Sequence, residues 1–259
     1  MNNIIDLGII QLAAAYIFIV ILLIIVKIRE IAREKEILIS TVRMTLQLVL
    51  AGYILSYIFE NRHPAFTIIF ISVMEVFAVH NTFKRVKSGL TTKLKRIIAL
   101  SLVSGSLASL IYFLLIVVRI SPWYEPRYFI PIAGMIVGNS MTGVSLGANR
   151  LIDGMNSQKH LIEAALMLGA TPKMAAKQVV NNAFDSAILP TINTMVGMGI
   201  VSLPGMMTGQ ILSGTSPLVA IEYQIAIMLG ILGSVALSVI LFVQLGYKAF
   251  FTHRDQLDI

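Results

Sequence analysis

The chain of 259 residues contains no cysteine and a single tryptophan, and only 13% of its residues are charged. Without cysteine there is no disulfide framework and no thiolate metal site. A soluble globular domain carries about a quarter charged residues, so the scarcity of charge argues against a surface facing water throughout. None of the 18 glycines is followed by lysine. A P-loop needs Gly-Lys-Ser/Thr so that backbone amides and the lysine cradle phosphates, and this chain therefore does not hydrolyse ATP by that route. The four histidines are scattered: His63, His160 and His253 fall in loops or the tail, and no His/Cys cluster has metal-ligand spacing.

Apolar residues are abundant, at 57%, with a mean hydropathy of +0.84. Long uncharged runs alternate with clumps of charge, the pattern of an integral membrane protein. Crossing a bilayer takes about 20 apolar residues. Seven runs approach that length, roughly 7–28, 37–59, 64–83, 97–118, 128–149, 187–213 and 220–245. The first lacks a basic stretch before it and a small-residue cleavage site after it, so it reads as a retained helix. The expected fold is all-α: one polytopic transmembrane domain over 1–259 with about seven transmembrane helices.

Basic residues orient the spans. Lys27, Arg29, Arg33 and Lys35 lie in the first loop, Lys84, Arg85, Lys87, Lys93, Lys95 and Arg96 in the third, Arg150, Lys159, Lys173 and Lys177 in the fifth, and Lys248 and Arg254 in the tail. Only Arg62, Arg119 and Arg127 fall on the other side. The positive-inside rule then places the N-terminus outside and the C-terminus in the cytoplasm. The net charge of +7 thus reads as a topology signal facing anionic lipid, not as nucleic-acid binding. Trp123, Tyr124 and Tyr128 read as interface anchors.

The segment 150–186 is too polar to span and reads as cytoplasmic. Leu161, Ile162, Ala165, Leu166 and Leu168 recur at helical spacing. Gly169 interrupts, Thr171 is a plausible N-cap, and Pro172 suits a first helical position. Two short helices about a glycine turn would form a knob for a soluble partner.

Charged or amide groups inside spans are functional-site hypotheses. Counting from the cytoplasmic ends, Arg43 lies about 9 Å deep and Glu75 about 12 Å deep. Two readings stand side by side: an Arg43–Glu75 ion pair, or Glu75 as a cation or proton site. Gln47, one turn from Arg43, joins either network. His80 is five residues from Glu75, a poor spacing for two ligands on one helix face, and reads as a capping or headgroup contact. Gly134/Gly138 and Gly143/Gly147 form GxxxG packing motifs, while Asn139 is a pathway candidate. The run 187–213 spans about 40 Å if fully helical. Pro204 with Gly205 and Gly209 predicts a break in it. Asn193 and Gln210 add polar groups to the same run. Met195, Met198, Met206 and Met207 read either as core filler or as a polarizable lining. A metal would then meet Glu75, Met206 and Met207.

Two resemblances follow from quoted stretches. "EAALMLGATP" (163–172) resembles the EAA loop of ABC importer permeases, which docks an ATPase subunit. Glu163, Ala164, Ala165 and Gly169 are the implied docking core. The departure is Leu189-Pro190, about two helical turns later than the family pattern. "RYFIPIAGMIVGNSMTGVSLGANRL" (127–151), "EAALMLGAT" and "PTINTMVGMGIVSLPGMMTGQILSGTSPLVAIEYQI" (190–225) resemble the Fet-type (FetB-like) exporter permeases. These are small ABC permeases linked to iron export in bacteria, with plant relatives linked to aluminium tolerance. The resemblance implies a multi-pass permease subunit in the cell (inner) membrane that pairs with itself and with a separate ABC ATPase. ATP would bind that partner, with no cofactor on this chain and an iron-like metal ion exported. The competing reading is a proton-coupled secondary transporter using Glu75.

Overall fold

The computed structural model describes residues 8–86, 90–252 and 254–258. Lys87, His253 and the start of the first expected span at residue 7 lie outside them. Among the described residues the chain is nearly all helical, with no strand beyond isolated bridges. The helices are α1 (Ile9–Ala15), α2 (Ile17–Ile28), α3 (Glu34–Glu60), α4 (Pro64–Arg85), α5 (Thr92–Tyr112), α6 (Pro126–Ser157), α7 (Lys159–Met167), α8 (Pro172–Ala175), α9 (Lys177–Gly197), α10 (Gly205–Leu212) and α11 (Pro217–Gly246). A π-helical turn, Phe113–Val118, extends α5, and a 3-10 turn, Tyr247–Phe250, extends α11.

Among the described residues, six helical stretches are long and apolar enough to cross a membrane: Ile9–Ile28, Glu34–Glu60, Pro64–Arg85, Thr92–Val118, Pro126–Ser157 and Pro217–Phe250. They match six of the expected runs, and all but the first extend beyond the expected bounds at one end or both. The seventh expected run, 187–213, is two pieces. Its first helix, α9, starts ten residues earlier, at Lys177, and ends at Gly197.

Contacts divide the chain into two units. The first holds α1 to α3 with Leu212–Gly214. Tyr16, at the junction of α1 and α2, lies with its hydroxyl 2.5 Å from Thr45 Oγ1 on α3. Most apolar side chains of these helices are exposed, Val26 and Ile58 being the buried ones, as suits helices immersed in lipid.

The second unit, His63–Ile211 with Thr215–Ile259, carries the core. There α11 packs on α5, α6 and α9, and α6 also packs on α4, α5 and α9. Small residues permit the close approach. A Cβ on Gly105 of α5 would lie 2.7 Å from Ser238 Cα of α11, and one on Gly143 of α6 would lie 2.7 Å from Val235 Cγ1. Gly147 likewise sits against Ala187 of α9. The second expected GxxxG pair is thus a packing seam. The first is not one within this chain, since Gly138 has nothing within 4 Å and Gly134 meets only Met74. The buried hydroxyls of Ser140 and Ser234, 2.8 Å apart, pin α6 to α11. Because the Gly105 neighbour is backbone, Gly105→Val is expected to cost about 3 kcal/mol, the upper end for overpacking. The check is a lowered midpoint in detergent melts and a reduced amount of chain in the membrane.

Candidate functional site

The knob after α6 is built by short-range chemistry. Gly169 adopts φ +89°, a conformation glycine reaches without a Cβ penalty. Ala170 N donates to Ala165 O and Gly169 N to Leu166 O, both at 3.0 Å, the paired bonds of a Schellman end. Thr171 then caps α8, its hydroxyl accepting from Met174 N, with Pro172 at the first helical position. The expected turn, cap and proline are therefore in place. The second short helix is only Pro172–Ala175 and leads at Ala176 directly into α9. Glu163 lies 3.9 Å from Lys159 Nζ and 3.9 Å from His160 Nδ1, both on its own helix. Such pairs are worth a few tenths of a kcal/mol. Ala164 is exposed and Ala165 half-buried. The tip is strongly apolar: Met167 is 87% and Leu168 89% exposed.

Glu75 is buried on α4. Ser106 Oγ on α5 lies 2.6 Å from Glu75 Oε1 and 2.7 Å from Leu102 O. Glu75 Oε2 has no hydrogen-bond partner among the described residues. The carboxylate borders a cavity of about 670 Å³ between α4 and α5. His80 borders it too. Arg43 and Gln47 stand one turn apart on α3 in the first unit, both exposed.

The break after α9 is an ordered turn. Gly199 takes φ +85°. Gly199 N donates to Ser202 O at 2.9 Å, and Val201 N and Ser202 N both donate to Gly197 O. Pro204 does not break a helix: it heads α10, its carbonyl accepting from Thr208 N at 2.9 Å and Thr208 Oγ1 at 3.1 Å. The expected break is real, but its left-handed residue is Gly199, and Gly205 and Gly209 lie inside α10.

Beside this turn is a cavity of about 370 Å³ walled by α6, α9, the turn, the start of α10 and α11. Asn139, Pro204 and Met206 of the expected pathway residues line it. Asn193 is exposed on α9, Met207 is buried and Gln210 is half-buried on α10, and none of the three borders the cavity. Glu75 borders the other cavity, so the structure does not bring Glu75, Met206 and Met207 together. Gln224 of α11, which sequence reasoning missed, is 7% exposed at this cavity. Its only advance signal was an amide in a largely apolar span that also carries Glu222 and Gln244.

A family model described as "Uncharacterised protein family (UPF0014)" matches residues 9–251. The chain is 36% identical to the Bacillus subtilis "UPF0014 membrane protein YjkA", over 95% of this chain and 97% of that one. It is 35% identical to the Arabidopsis thaliana "Protein ALUMINUM SENSITIVE 3", over 97% and 90%. It is also 35% identical to the Escherichia coli "Probable iron export permease protein FetB", over 96% and 94%. No solved structure matches. With the match running through the knob, both cavities and the six long apolar helices, this multi-pass membrane protein belongs to the UPF0014 family.

Proposed function

We propose that the chain is the permease subunit of an ATP-driven exporter, working as a homodimer with a separate ABC ATPase and moving a metal ion. One observation carries the reading: a hydrogen-bonded knob that presents Met167 and Leu168 to solvent at a glycine-closed turn. Exposed apolar side chains of this size at a polar loop mark a protein-binding surface. The basic residues around the segment support a cytoplasmic location by the positive-inside rule, the side on which ATP is available. Similarity to a relative named as a probable iron export permease supports export and a metal cargo. The testing experiment is purification of the chain from its native membrane. An ABC ATPase is expected to accompany it and to confer ATP-dependent flux on proteoliposomes. Flux from the chain alone, driven by a pH gradient, would replace this reading with the secondary transporter.

Buried Glu75 is the observation favouring that second reading. The two are separated by Glu75→Gln, which keeps an acceptor for Ser106 and removes the charge. ATP-driven flux is expected to stay within about fivefold of wild type, the equivalent of about 1 kcal/mol. A proton-coupled carrier would lose its flux altogether.

A further inference from the structure

The cavity beside the Gly199 turn has an unusual donor inventory. None of its lining residues is charged. Four of them, Met135, Met198, Met206 and Met228, are methionines from four separate segments of the fold. Gln224 lies among them, more than nine-tenths buried, with Nε2 3.9 Å from Met198 Sδ. Its Oε1 has no hydrogen-bond partner among the described residues. A buried carbonyl oxygen left unpaired costs about 1–3 kcal/mol, which a cation or a hydrogen-bond donor recovers.

Three of the other polar side chains on the cavity wall, which also includes Thr191 and Ser202, have spent a donor on their own helices. Asn139 Nδ2 donates to Met135 O at 2.7 Å, Thr142 Oγ1 to Gly138 O at 3.1 Å, and Thr194 Oγ1 to Pro190 O at 2.9 Å. A hydroxyl has one proton and two lone pairs. Once the proton is committed, what remains is acceptor only, as in a thioether. The wall is therefore rich in acceptors and without a formal charge. An anion finds no positive charge there. A hard, highly charged cation requires anionic oxygen ligands to offset its dehydration, and no carboxylate lines the cavity. A singly charged soft cation suits polarizable thioether sulfur and requires no counter-charge.

We infer that this cavity is a binding site for a soft monovalent metal ion, of the Cu(I) or Ag(I) class, held by the thioethers of Met198, Met206 and Met228 with the Gln224 carbonyl. The inference deepens the exporter reading by naming a cargo class for its pathway, but binding itself needs no ATPase.

The absence of cysteine makes the test clean, because any sulfur bound to metal must be methionine. Full-length chain in detergent is titrated with silver nitrate in chloride-free buffer, with heat as the readout. The combined variant Met198→Leu, Met206→Leu and Met228→Leu, a volume-conserving change, is expected to weaken silver binding at least about tenfold, or 1.4 kcal/mol. The variant Met167→Leu with Met174→Leu, at exposed knob positions, is expected to bind as wild type does. Equal binding by the cavity variant and wild type, or equal loss in both variants, overturns the proposal. Silver X-ray absorption on the unaltered chain is the second measurement, independent of how the variants fold. A sulfur-containing first shell supports the site, and a shell of nitrogen and oxygen alone overturns it. Silver binding that depends on the cavity methionines in a chain that recruits no ATPase would leave this site standing and remove the exporter reading. An ATPase-coupled chain whose silver binding ignores these methionines would do the reverse.

Discussion

Leu168→Asp is expected to abolish ATP-driven export while leaving the chain at its normal level in the membrane. Leu168 is 89% exposed at the knob tip, so its replacement removes no core contact. Burying a leucine against a partner contributes about 1.5–3 kcal/mol, and a carboxylate at the same point must also be desolvated there. A combined loss above about 3 kcal/mol weakens docking more than about a hundredfold. Co-purification of the ATPase and ATP-dependent flux are the two measurements. Retention of both would remove the docking role from the knob. Gly169→Val attacks the same surface through geometry, since a β-branched residue at φ +89° is strained. Glu163→Lys replaces the carboxylate beside Lys159 with a second ammonium on one short helix and is expected to act in the same direction.

The second large effect is expected from Gly199→Val. At φ +85° a β-branched side chain forces the turn open. Gly199 N to Ser202 O and the two bonds onto Gly197 O are then lost together. Because Met198, Ser202 and Pro204 line the cavity, its wall is rebuilt. Export is expected to fall at least about tenfold, the equivalent of 1.4 kcal/mol, with insertion unchanged. Pro204→Ala is expected to do less, because a proline heading a helix withholds no bond that alanine would restore. A larger loss from Pro204→Ala than from Gly199→Val would mean that α9 and α10 do not meet as described.

Local signals carried most of what the sequence revealed. The long apolar runs gave the crossing helices, because about 20 apolar residues have few other uses. Gly169, Thr171 and Pro172 gave the knob, because turn, cap and helix start are decided within a few residues. The break was legible as a break and misplaced by five residues. Proline is conspicuous in an apolar run, whereas Gly199 sits in "MGIV" and its backbone angle leaves no trace in composition. The cavity was the least legible part. Met135, Met198, Met206 and Met228 come from distant stretches, and only packing of α6, α9, α10 and α11 gathers them. Gln224 was overlooked because a single side chain barely alters the hydropathy of a 30-residue helix.

The length of α6 has a mechanical consequence. Its 32 residues make a rod of about 48 Å, longer than the roughly 30 Å hydrocarbon layer. Its only internal proline, Pro131, lies beyond the cavity-lining Met135 and Asn139 as seen from the knob. Between Asn139 and Ser157, about 27 Å of uninterrupted helix joins the cavity wall to the knob. A swing of about 10° at the knob end would carry the cavity wall sideways by roughly 5 Å over that lever arm. Such a displacement is comparable to one helical pitch, enough to open or shut a passage for a bare ion without unwinding a single turn of α6.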